Sequence, residues 1–335
     1  MRTIQVFICL VSTFVLFASP RIQGDTSLKP ETRSAYTFSV AALAGFLYGQ
    51  GEEIVYINDT DTYLSQLLWD MKPLFYAGSS LDFSPVNPLE GLGFFTHLSL
   101  KFGIPGKTGT MEDRDWLNKE NGLNDNLTNF SSHDNYTQGA FLLDSSIGIS
   151  LPLASWFLLK GYVDFSYMYF SWASQDGFTQ YAARDSSTGG YAPWEDTLPK
   201  TAYYGPAINY QQRWVIFTPG LAVHIPFLYG LSLGAYLHIS PFIHCVAVDD
   251  HIRRGIQFRD DTSGGLLFES QGAITFAPNP RLELSLSLGY RSIQGLQGPT
   301  TSRNTGTTSG LVSQSGTGGA GYAVLDTGLS IKIRW

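Results

Sequence analysis

In the segment 281–291, RLELSLSLGYR, every even position is apolar or aromatic and every odd one is small, polar or charged. Period two is the repeat of an extended strand whose faces meet different media, so this stretch cannot be read as a helix. The same alternation runs through Phe38, Val40, Ala42, Ala44, Phe46 and Tyr48, and through Leu92, Phe94, Leu98, Leu100 and Phe102. It returns in Leu231, Leu233, Ala235, Leu237 and Ile239, and again in Leu329, Ile331, Ile333 and Trp335 at the carboxyl terminus. A half-buried sheet in a soluble sandwich would alternate in the same way, so the connections have to separate the two architectures.

Strands are expected at about 36–56, 63–84, 91–108, 136–153, 156–173, 208–225, 231–248, 264–277, 281–293 and 320–335. The linkers after the second, fourth, sixth and eighth are tight, and most carry proline. Those after the third, fifth, seventh and ninth are long and polar, ending with the Gly/Ser/Thr-rich stretch 295–319. Short turns at one end, long loops at the other, an even strand number and an aromatic terminus are the pattern of outer-membrane barrels, in which closure removes the sheet edges. The expected fold is therefore all-β, a ten-stranded antiparallel transmembrane β-barrel with long extracellular loops, short periplasmic turns and both termini at the short-turn end. With 35 Gly, 18 Tyr and 22 Phe against 15% charged residues, the composition agrees.

Residues 1–24 read as a signal peptide, with Arg2 ahead of a short apolar run, which leaves 25–335 as the barrel. No long apolar stretch follows, so a membrane crossing after export has to be made by strands. Cys9 lies within the signal and leaves Cys245 as the one cysteine of the mature chain, too few for an intrachain disulfide. The net charge of −7 and the lack of a basic stripe exclude a nucleic-acid partner.

Two clusters sit where a strand enters a long loop: Thr110 to Trp116, containing Asp113 and Asp115, and Ala247 to His251, containing Asp249 and His251. Within each, an i, i+2 spacing puts both ionisable side chains on one face of a strand, roughly 7 Å apart. Opposed across a barrel mouth, the two pairs could hold one water between them. Asp249 would orient the imidazole, His251 would take the water's proton, and the carboxylates opposite would bind the water, one held protonated by its neighbour. By spacing alone, a divalent-metal site fits Asp and His as well. His238 and Ser240, also i, i+2, read as a polar pair lining the lumen rather than as a serine nucleophile with its base, and no G-x-S-x-G sequence is present.

Glu53-Ile54-Val55-Tyr56, Ser65-Gln66-Leu67-Leu68-Trp69, Asp113-Arg114-Asp115-Trp116, the run from Ala207 to Trp214, and Asp249-Asp250-His251 occur in order across nearly the whole mature chain. In sequence and spacing they resemble the signature blocks of the omptin family of outer-membrane proteases. The resemblance implies an aspartyl-type endopeptidase with Asp113, Asp115, Asp249 and His251 as catalytic residues. It implies a substrate-binding role for Glu53, beside a basic side chain of the substrate. The family's second acid, two positions before the dyad aspartate, is here Ala247, which leaves the strength of a basic preference open. Tyr162, Asp164 and Arg213 match lipid-contacting positions, with lipopolysaccharide as an activator and no metal or other cofactor, while Ser166 stands where the family has an arginine. Ser131 and His133 match a family serine and histidine and are assigned no catalytic role.

The expected partners are peptide or protein substrates and outer-membrane lipid, for a monomer whose site faces the cell exterior. The alternative is a catalytically vestigial barrel acting as an adhesin or binding protein. One geometric requirement follows from parity. Counted from Leu231, Asp249 falls on the outward set of its strand, so an inward dyad requires a β-bulge near Pro241.

Overall fold

A computed structural model describes residues 36–57, 60–305 and 312–335; the expected signal peptide lies outside these. The described chain closes into one antiparallel ring of ten long strands. The first is Tyr36–Tyr56, the second Tyr63–Pro85, and the third consists of Gly93–Gly103 and Gly106–Asp115. The fourth, fifth and sixth are Asn129–Ala154, Phe157–Tyr181 and Pro206–Pro226. The seventh comprises Leu231–Ser240 and Ile243–His251, the eighth Ile256–Ser263 and Leu266–Asn279. The ninth is Leu282–Asn304 and the tenth Val312–Arg334. Ser39 opposite Arg334 and Glu53 opposite Ala320 close the ring. Both chain ends of the barrel lie at the short-turn end, where the Trp335 amide donates to the Phe38 carbonyl.

Outward side chains form an apolar band: Phe102, Ile147, Val163, Phe217, Leu221, Ile274, Leu286 and Leu329 are all exposed. An exposed surface of that size has to be covered by lipid. Toward the loop end the outward set turns polar, with Glu52, Gln66, Arg114, Gln211 and Arg213; Gln66 donates to Glu52, and Arg114 pairs with Glu112. The strands continue well past this change. The third, fifth, seventh and ninth reach Asp115, Tyr181, His251 and Asn304, and the fourth starts at Asn129. Much of what the sequence suggests as long loop is therefore strand standing above the membrane.

Three strands are interrupted, and each break steers a site residue. In the seventh, Ser240 Oγ donates to the Phe217 carbonyl and accepts from the Phe242 amide, which takes Pro241 and Phe242 out of the ladder. Below the break His238 and Ser240 face inward; above it Ile243, Cys245, Ala247 and Asp249 do. The irregularity required near Pro241 is present and turns the dyad into the barrel. In the third strand the ladder breaks at Ile104-Pro105, then bulges between Lys107 and Gly109, where Gly109 has φ +121. A Cβ at Gly109 would lie 2.7 Å from the Asp70 side chain, whose Oδ2 accepts the Thr110 amide. The two shifts return Met111, Asp113 and Asp115 to the inward set. A third break, at Gly264-Gly265, turns Asp260 and Thr262 inward in the eighth strand.

Inside, the barrel is divided across its axis. Trp69, Trp172, Tyr210 and Phe170 stack at centroid distances of 5.2–6.1 Å, with Trp214, Met111, Met168 and Tyr322 fully buried around them. The Trp172 indole lies over Gly51, where a Cβ would come within 2.9 Å of the ring. Below this layer the lumen holds paired charges, including Arg291 with Asp144 and Glu269, and Lys101 with Asp326. Trp69→Ala would remove the centre of the stack and is expected to cost about 3–5 kcal/mol of stability, as for buried aromatics elsewhere. Thermal unfolding of the refolded barrel measures it; a shift no larger than that of a surface substitution would rule out a supporting role for the layer.

Candidate active site

Directly above the aromatic layer the inward positions become acidic. Glu53 lies two residues beyond Gly51, Asp113 two beyond Met111, and Asp249 is paired with Tyr210. On one wall His251 Nε2 is 2.6 Å from Asp249 Oδ2, and the Phe258 ring meets the imidazole edge-on. Asp249 is only 3% exposed, and its Oδ1 has no hydrogen-bond partner among the described residues. On the facing wall Ser65 Oγ donates to Asp113 Oδ1 at 3.3 Å, and Asn129 Nδ2 donates to Asp115 Oδ2 at 3.4 Å.

Electrostatics tie the walls together. Burial over the aromatic floor, then Asp115 and Asp249, push the Asp113 carboxyl well above its ordinary range. Asp115 is raised too, by burial, against hydrogen bonds from Ser65 and Asn129 and the charges of Arg254 and His251. Asp113 thus feels Asp249, and Asp115 feels His251, across the cleft. Two carboxyls with raised affinity for protons, side by side, hold a shared proton more readily than two negative charges. Glu53, 3% exposed, is raised by burial and by Asp249 and Asp260. Among the described residues no group of three or more His, Cys, Asp and Glu is disposed to hold a metal ion.

The family model of the omptins matches residues 34–334. The chain belongs to the omptin family. The plasminogen activator of Yersinia pestis is 26% identical over 261 residues, which is 76% of each chain. The crystal structure of the outer membrane protease OmpT from Escherichia coli matches with a TM-score of 0.76 at 16% identity, over 89% of this chain and 97% of that one. The OmpT likeness concerns the fold. As an omptin this chain is an outer-membrane protease, and its cleft opens toward the cell exterior.

Two expected lipid contacts are overturned in this omptin. Tyr162 and Asp164 face the lumen, because they alternate with outward Val163: the Tyr162 hydroxyl pairs with His238 Nε2 at 2.8 Å, and Asp164 Oδ2 accepts from Ser166 at 2.9 Å. Neither can reach lipid. Arg213 does face outward, beside Tyr169 and Gln211. His238 is held by Glu269 and Tyr162, and Ser240 is spent on the strand break, so the two form no nucleophilic pair. Ser131 and His133 bond each other next to the wall that carries Asp113, with Asp113 opposite Ser131, and His133 is anchored to the Asp176 carbonyl. Sequence reasoning missed Asp260 and Arg254, and it gave Ser65, the first residue of a signature block, no role in the site. The first two lie in a stretch expected to be loop, and Ser65 carries no charge to attract notice.

Proposed function

We propose that this omptin cleaves peptide bonds by a water held between the Asp249–His251 dyad and the Asp113–Asp115 pair. The 2.6 Å dyad facing two proton-hungry carboxyls over an aromatic floor is the observation that carries this reading. His251 takes a proton from the water as its oxygen attacks the peptide carbonyl carbon, and Asp249 stabilises the imidazolium that results. The protonated member of the Asp113–Asp115 pair donates to the developing oxyanion, a role that needs a carboxyl kept neutral by burial. His251 then returns its proton to the departing amine, the C–N bond breaks, and a carboxylate and an amine leave without any covalent enzyme intermediate. Glu53 would favour a basic side chain beside the scissile bond.

Refolded protein is expected to cleave peptides carrying a basic residue, with a further increase when lipopolysaccharide is added and a loss of that increment in Arg213→Ala. Cleavage is read by mass spectrometry of the fragments. If no peptide is cut under either condition, the vestigial, adhesive reading replaces this one.

A further inference from the structure

Glu53 is a buried acid that no basic residue among the described ones neutralises, and its carboxyl is hydrogen-bonded to that of Asp249. Its Oε2 has no hydrogen-bond partner among the described residues, and the charges that act on it most are all negative: Asp249, Asp260 and Asp113. Asp260 is equally enclosed, at 5% exposure, and lies directly opposite Ala247 in the ladder between the seventh and eighth strands. Its Oδ1 accepts from Thr300 Oγ1 at 2.6 Å. Its side chain lies against Gly318, where a Cβ would fall 2.5 Å from that oxygen, and Gly318 pairs with Val55 in the strand that carries Glu53. Only a glycine at this position lets the carboxylate lie so close to the tenth strand.

We infer that Asp260 is a specificity-determining residue of this protease. Together with Glu53 it forms a subsite for a guanidinium or ammonium side chain, and it supplies from the neighbouring strand the second carboxylate that Ala247 does not. The inference rests on the proteolytic reading of the cleft. Buried carboxylates without a partner are costly, and a planar guanidinium that reaches two of them satisfies both at once. Burial raises the Asp260 carboxyl to about 7, so a cation seated beside it would favour the ionised form.

The test compares peptides that differ only in arginine against citrulline at the cleaved position, which are nearly equal in shape and differ in charge. In Asp260→Asn the arginine-to-citrulline ratio of kcat/KM should fall about tenfold or more, as when one partner of a buried charge pair is removed. Moving the acid, in Asp260→Ala combined with Ala247→Asp, should restore the ratio. A second measurement needs no turnover: binding of argininamide, against citrullinamide, is followed by isothermal titration and should weaken in Asp260→Asn. A ratio and an affinity that do not change in Asp260→Asn would overturn the inference and leave the protease reading intact. Asp260-dependent argininamide binding by a protein that cuts no peptide would support the subsite and remove the protease mechanism.

Discussion

His251→Ala should abolish peptide cleavage while leaving a folded barrel. The imidazole is the group placed to take the water's proton, and general acid–base catalysis is typically worth 10²–10⁴-fold, so the loss should be of that order and should appear in kcat. Asp249→Asn should act in the same direction, because it keeps the hydrogen bond to His251 Nε2 but removes the charge that steadies the imidazolium. The side chain of His251 stands at the rim above the aromatic layer, so the variant should unfold at nearly the native temperature. Cleavage rates and thermal unfolding measured on the same preparation decide the matter. Activity unchanged in His251→Ala would eliminate the mechanism.

Asp260→Asn should make the protein more stable above pH 7 and leave its stability near pH 4 unchanged. An acid whose folded-state affinity for protons exceeds its unfolded one adds a destabilising contribution as pH rises, because the unfolded chain releases the proton first. For Asp260 that contribution grows from the ordinary carboxylate range near 4 to the folded value of about 7, then stays constant. A difference of this size corresponds to about 2–4 kcal/mol, large against usual single substitutions. Asparagine keeps an acceptor for Thr300 Oγ1 and carries no charge. Glu53, Asp113 and Asp115 are raised in the same sense and add to the loss of stability as pH rises. A variant less stable than the native protein at pH 8 would contradict the argument. The same substitution that weakens arginine recognition is thus expected to strengthen the fold, a trade between stability and site function.

The parts of the fold legible in the sequence were those bathed in lipid. Where one face meets hydrocarbon, as in 281–291, alternation is sharp and the strand count follows from it. Above the membrane both faces are wet or polar, and the period vanishes from the hydropathy pattern although the ladder continues. The extensions to Asp115, Tyr181, His251 and Asn304 were invisible for that reason. The four residues proposed as catalytic could be picked out because both i, i+2 pairs fall within segments that resemble the family's signature blocks. Their convergence depended on the break at Pro241 and Phe242, which the parity conflict at Asp249 did signal. Asp260 was not legible, since its position opposite Ala247 is a matter of register between neighbouring strands, and above the membrane no hydrophobic alternation marks that register. Tyr162 and Asp164 were misplaced for the complementary reason: a match in residue type carries no information about the face on which it falls.

The stack of Trp69, Trp172, Tyr210 and Phe170 stands between the acids of the cleft and the paired charges of the lower lumen, as well as supporting the cleft. The acids above it exchange protons with the fluid to which the cleft opens, so their ionisation follows the medium outside the cell.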